Sequence, residues 1–169
     1  MTEALARLDR EALIALRTRM HTPGLERAAL VYTALGEYGA LWSASALAGA
    51  RLDRARRRAW YRAAALVPAA LGANALVKRV VRRRRPTLPE LAPLGRRPTS
   101  LSFPSGHAAT AFAGAVAIGA LVPAIEAPLL VAAALMALTR PYLGMHYPSD
   151  VAAGALLGAA FAATFSSAQ

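Results

Sequence analysis

Three short segments of this chain hold residues whose types and spacing could handle an anion. In the first, Lys78-Arg79-Val80-Val81-Arg82-Arg83-Arg84-Arg85-Pro86, Lys78 and Arg85 are seven positions apart. On a helix that spacing returns both to nearly one face, about 10.5 Å apart, so two cations can converge on one anion before Pro86 stops the helix. Arg82, Arg83 and Arg84 read as a basic run flanking a membrane, because four successive arginines cannot all point one way. In the second segment, Phe103-Pro104-Ser105-Gly106-His107, Pro104 suits the first position of the Ala-rich helix that follows. The amides of Ser105, Gly106 and His107 would then point outward as an anion site, with Gly106 allowing close approach, the Ser105 hydroxyl adding a donor and His107 beside the anion. The third segment runs from Thr139 through Arg140, His146 and Pro148 to Asp150. Pro148 again suits a helix start, which brings Asp150 within reach of His146. A carboxylate on one imidazole nitrogen fixes the tautomer and makes the other a better nucleophile or base. Arg140, at the end of an apolar run, is best explained by an anion in a cavity.

The elements that must position these residues follow from composition. The chain has 169 residues, 56% of them hydrophobic, with a net charge of +11 and no cysteine. A mean hydropathy of +0.36 with so basic a balance leaves too little polar surface for an ordinary soluble domain. Absence of cysteine excludes a disulfide scaffold and a Cys-ligated zinc or iron–sulfur site. Nucleic-acid binding is not expected, because the basic residues punctuate apolar runs instead of forming one stripe with interleaved aromatics. Of the nine acids, only Asp150 falls in one of the three segments, so no metal cluster and no cofactor is expected.

The chain reads as an all-α membrane bundle of about five transmembrane helices, residues 25–169, preceded by an N-terminal amphipathic helix, residues 1–24. In that helix Leu5, Leu8, Ala12, Leu16 and Met20 form one stripe, with Arg7, Arg10, Glu11 and Arg17 mostly facing away. It serves either as an interfacial anchor or as a helix packed on the protein. Residues 1–20 alternate charge with Leu and lack the pattern of a signal peptide. Spans are expected over about Leu25 to Ala50, Ala59 to Val81 (with Trp60 and Tyr61 at interfacial depth), Pro104 to Pro123, Glu126 to Arg140, and Pro148 to Phe165. The fourth has few uncharged residues, so it is short or ends in a protein-lined polar cavity. Gly154 and Gly158 are spaced for close helix packing within the bundle. Glu37, charged within the first span, is a candidate for a headgroup pocket, and Asn74 is expected to satisfy a neighbouring helix.

Together, in order and internal spacing, Lys78 with Arg85-Pro86, Pro104-Ser105-Gly106-His107, and Arg140 with His146 and Asp150 resemble the three signature motifs of the type 2 phosphatidic acid phosphatase superfamily, which includes lipid phosphate phosphatases and vanadium haloperoxidases. Thr139 stands where the pattern usually has Ser and keeps the hydroxyl. The resemblance implies that His146 attacks phosphorus, oriented by Asp150, to form a phosphohistidine that water hydrolyses, and that His107 protonates the leaving oxygen. It implies that Lys78, Arg85, Arg140, the Ser105 side chain and the Ser105 and Gly106 amides hold the phosphate oxygens, without a metal.

The implied activity is that of a membrane phosphatase acting on a lipid phosphate. Compact Ala- and Arg-rich character, with the Gly36-Glu37 pair, looks like short actinobacterial members, including those that dephosphorylate decaprenylphosphoryl-phosphoribose for cell-wall arabinan. Polyprenyl diphosphate, phosphatidylglycerol phosphate and phosphatidic acid are the alternatives; a haloperoxidase and a non-enzymatic anion-binding or transport protein are the rivals. The implied partners are the lipid substrate and the bilayer; a homo-oligomer is not indicated. Lys and Arg are more numerous on the side holding the N-terminal helix and the three motifs, which places the catalytic face toward the cytoplasm of a multi-pass cell-membrane protein.

Overall fold

The computed structural model describes residues 3–88, 91–95 and 99–166; Glu90, Arg96 and Arg97, which entered the charge reading above, lie outside them. Among the described residues the regular structure is seven α-helices: α1 (Glu3–Arg19), α2 (Pro23–Leu35), α3 (Ala40–Leu52), α4 (Arg57–Val81), α5 (Gly106–Leu121), α6 (Glu126–Tyr142) and α7 (Pro148–Ser166), with 3₁₀ turns at Glu37–Gly39 and Pro123–Ile125. The all-α expectation holds. By length and apolarity, α4 and the stretch Pro123–Tyr142 qualify as membrane spans, while α5 is apolar but shorter.

Helix α5 is the axis of the bundle, packed on α4, α6 and α7. Its Ala108, Ala109, Ala111, Ala113 and Ala115 are all buried; a helix hydrophobic all round belongs inside. Small residues let its backbone meet that of α7, since a Cβ on Gly154 would strike the Ser105 carbonyl and one on Gly158 the Ala109 carbonyl. These glycines therefore serve packing within the bundle, as expected.

Two expected elements change. The first span is not one helix, because Tyr38 and Gly39 have φ of 53° and 76°; this left-handed step ends α2 and restarts the chain as α3. The apolar composition on both sides concealed the break. Trp60 is buried against Gly49, and its indole N–H donates to Asp53 at 3.1 Å. Tyr61 does remain exposed, beside Arg57.

Helix α1 packs on the bundle, but not by its apolar stripe. Leu5, Leu8 and Met20 are exposed, whereas Asp9, Leu13 and Arg17 are buried. Arg17, expected to face away, donates to the Ala92 carbonyl at 2.6 Å. Local polar contacts on the loop outweigh apolar periodicity here.

Candidate active site

The three segments meet at one end of the bundle around a cavity of about 150 Å³. Lys78, Arg85 and Arg140 line it together with His107, His146 and Gly106. Lys78 and Arg85 do not share a helix face. Helix α4 stops at Val81, where Arg82 turns left-handed at φ 52° and its amide caps the Lys78 carbonyl at 2.9 Å, so Arg85 arrives from an extended segment. Pro86 is not what ends the helix. The Lys78 ammonium donates to the carbonyls of Leu101 (2.8 Å) and Ser102 (3.1 Å), and Arg85 to those of Ser100 (2.7 Å) and Met145 (2.6 Å). Both cations are thereby aimed by backbone oxygens.

His146 lies in the loop between α6 and α7, and its side chain is only 2% exposed. Arg85 Nη1 stands 2.9 Å from its Nε2. Because a guanidinium only donates, Nε2 is the bare acceptor and the proton resides on Nδ1. Nδ1 faces Asp150 Oδ2 at 3.6 Å and Ser102 Oγ at 3.5 Å, so the expected His146–Asp150 pairing is a close approach of the imidazole to the carboxylate, longer than a direct hydrogen bond. Burial, reinforced by Arg85, Arg140 and Lys78 and opposed by Asp150, holds the imidazole down at about 3. It is neutral at neutral pH.

Asp150 is fully buried. Its Oδ2 accepts from the Ser102 hydroxyl (2.5 Å) and the Tyr147 amide (2.9 Å), and its Oδ1 from Arg83 Nη1 (2.7 Å). Ser102 and Arg83 are residues that motif reading missed. Arg83 turns into the protein; its side chain is 11% exposed, and the guanidinium lies 4.0 Å over the Tyr147 ring. The signal against the flanking reading was the interruption of the helix, since an extended run alternates sides and can turn one arginine inward.

Pro148 opens α7 as expected, but Pro104 does not open α5. The Phe103–Pro104 peptide is cis, Ser105 is the cap, and α5 begins at Gly106. The Ser105 hydroxyl accepts from the Ala108 amide (3.5 Å) and its own amide donates to the Asp150 carbonyl (2.8 Å). The amide is therefore not left to hold an anion, whereas the hydroxyl, which only accepts here, keeps its proton. Gly106 and His107 supply the first-turn amides instead.

His107 Nε2 faces the Thr33 carbonyl at 3.1 Å and Glu37 at 3.6 Å. Glu37 sits in the 3₁₀ turn, 56% exposed, at the cavity wall. Arg140 donates to Thr33 Oγ1 (2.6 Å), and its Nε has no partner. Asn74 is buried beside the cavity with neither amide atom hydrogen-bonded; it does not satisfy a neighbouring helix.

Three cations, two histidines and a helix start around one small cavity make it suited by charge and geometry to an anion such as phosphate. The PAP2 superfamily profile matches residues 58–169 of this chain. The chain belongs to the PAP2 superfamily, the type 2 phosphatidic acid phosphatases that its motifs resemble, and is a membrane-bound lipid phosphatase of that family. It is 42% identical over 132 residues to the PAP2 relative decaprenylphosphoryl-5-phosphoribose phosphatase of Mycolicibacterium smegmatis, covering 78% of this chain and 72% of the relative. It is 39% identical over 161 residues to the enzyme of the same name from Mycobacterium tuberculosis H37Rv, covering 94% and 89%. Its fold is similar to that of a transmembrane PAP2 type phosphatidylglycerolphosphate phosphatase from Bacillus subtilis, with a TM-score of 0.80 over 99% of this chain and 86% of the other at 24% identity.

Proposed function

We propose that this PAP2 enzyme removes the terminal phosphate from a polyprenyl-linked lipid, with decaprenylphosphoryl-5-phosphoribose as substrate, through a phosphohistidine on His146. The observation that carries the chemistry is the arrangement around His146, whose bare Nε2 points at Arg85 while Nδ1–H points at a buried carboxylate. Support for the substrate is the identity to the two mycobacterial enzymes over most of their length.

In the first step, the Nε2 lone pair attacks phosphorus in line, the P–O bond to the ribose breaks, and the leaving oxygen takes a proton from His107. Phosphate oxygens replace Nε2 as the acceptor of Arg85. Lys78, Arg85, Arg140 and the Gly106 amide share the equatorial oxygens, whose charge is the main thing to be stabilised. Asp150 stabilises Nδ1–H as the ring becomes cationic. In the second step, water gives a proton to His107 and attacks phosphorus, the P–N bond breaks, and inorganic phosphate leaves. The Ser105 amide has no place on the phosphate, since it ties the start of α5 to the Asp150 carbonyl; the donor that Ser105 keeps is its hydroxyl. Glu37 borders the headgroup and accepts from ribose hydroxyls.

The wider arrangement belongs to the same reading. Residues 25–169 form one bundle crossing the bilayer about five times, with α2 and α3 sharing the first crossing, and residues 1–24 lie at the interface. The catalytic face is toward the cytoplasm, supported by the excess of Lys and Arg on that side. A Cys at Ser100 that an impermeant thiol reagent labels in intact cells, with one at Ala55 protected, would reverse the orientation.

Phosphate release by detergent-purified protein, from decaprenylphosphoryl-5-phosphoribose, polyprenyl diphosphate, phosphatidylglycerol phosphate and phosphatidic acid, tests the substrate. The pentose lipid should show the highest kcat/KM. A soluble monoester such as glucose 6-phosphate outranking every lipid would overturn the proposal.

A further inference from the structure

Helix α1 turns a polar row toward the bundle, and that row reaches the active site. Asp9 is only 3% exposed, and burying a carboxylate demands partners. Its Oδ1 accepts from the Ser149 amide at 2.9 Å; its Oδ2 accepts from the Ser149 hydroxyl at 2.5 Å and from Arg83 Nη2 at 2.8 Å. The other terminal nitrogen of the same guanidinium, Nη1, donates to Asp150 Oδ1 and Ser149 Oγ, each at 2.7 Å. One arginine is clamped between a carboxylate of the N-terminal helix and the carboxylate that faces His146.

We propose that Asp9 is a positioning residue for phosphoryl transfer, acting through Arg83 to set the charge and orientation of Asp150, so that helix α1 is part of the working site. This rests on the roles given to His146 and Asp150 above. Alone with Arg83, Asp150 would be half of a closed ion pair, its charge drawn away from the imidazole. Asp9 takes one side of the guanidinium and balances it, which leaves Asp150 with negative charge to spend on Nδ1–H when His146 accepts the phosphoryl group. Through Ser149, Asp9 also satisfies an amide in the first turn of α7, the turn that carries Asp150.

Asp9→Asn keeps the shape and the acceptor for the Ser149 amide but loses the charge. In the full-length purified protein it should lower kcat and the rate of phosphoenzyme formation about tenfold while KM changes less than about twofold. Asp9→Glu, which restores the charge, should recover most of the rate even if Asp9→Asn proves hard to fold. In an Arg83→Gln background, adding Asp9→Asn should cost less than about twofold more, because the partner through which it acts is gone. Glu11→Gln, on the exposed face of α1, should match wild type. Wild-type kcat in Asp9→Asn, equal losses in both backgrounds, no recovery with Glu, or a rate loss that follows loss of folded protein in thermal unfolding would each overturn the inference. A wild-type protein that forms no phosphoenzyme would instead overturn the reading of His146 itself.

Discussion

The two histidines of the site are both largely buried but are held by very different sets of partners. His146 is walled in by Arg85, Ser102 and Asp150, each in turn held by further partners. His107 has one carbonyl and a half-exposed carboxylate beside it. The difference suits the tasks proposed for them. A nucleophile that must meet phosphorus in line gains from a fixed direction, whereas a proton donor that serves first an alkoxide and then a water gains from access to the cavity mouth.

The sharpest break in that comparison is His146→Ala. Turnover should fall by about 10⁴ or more and the phosphoenzyme should vanish on quenched gels; a surviving phosphoprotein would place the nucleophile elsewhere. Arg140→Ala, removing the cation whose Nε has no partner, should cost about 10²- to 10³-fold in kcat, read as phosphate release. His107→Ala should cost about 10²-fold on a lipid phosphate, and clearly less on p-nitrophenyl phosphate, whose leaving group needs no proton. An equal loss on both substrates would remove His107 from the proton-transfer role.

Smaller effects sharpen the contrast. Glu37→Gln should raise KM for the pentose lipid by less than about tenfold and leave phosphatidic acid unaffected, since only the former offers hydroxyls to accept from. The pH profile separates the sockets further. His146 must be neutral to attack, and with its imidazole held at about 3 it stays so across mild acid. The acid limb of kcat/KM between pH 5 and 7 should therefore follow the second ionisation of the substrate phosphate, near ~6, and move when a phosphate of different acidity is used. One inflection near pH 6.5 common to all substrates would show an ordinary imidazole.

Residues with a reactive group were legible in the sequence; residues that hold them were not. Lys78, Arg85, His107, Arg140, His146 and Asp150 each announce chemistry by type and place, and the structure gathers them at one end of the bundle. Ser102 and Arg83 looked like a loop serine and one of four arginines, because their use depends on where α4 stops, and left-handed Arg82 gives no strong sequence signal. The Ser105 amide was misread for a related reason. Placing Pro104 at the first helical position shifts the register and frees an amide that the fold spends on the Asp150 carbonyl. Apolar periodicity located α4 to α7 well, yet for α1 it left open whether the stripe meets the protein; three hydrogen bonds to Asp9, on another face, decide the docking.

The glycine row on α7 has one more consequence. Gly154 rests on the Ser105 carbonyl and Gly158 on that of Ala109, so two helices touch backbone to backbone immediately below the cavity. One begins with the turn whose amides face the cavity; the other begins with the turn that carries Asp150, the carboxylate behind His146. This contact works as a spacer gauge, fixing how far the attacking nitrogen lies from the cradle that receives its target. A methyl group at either glycine would widen the gauge without touching any reactive atom.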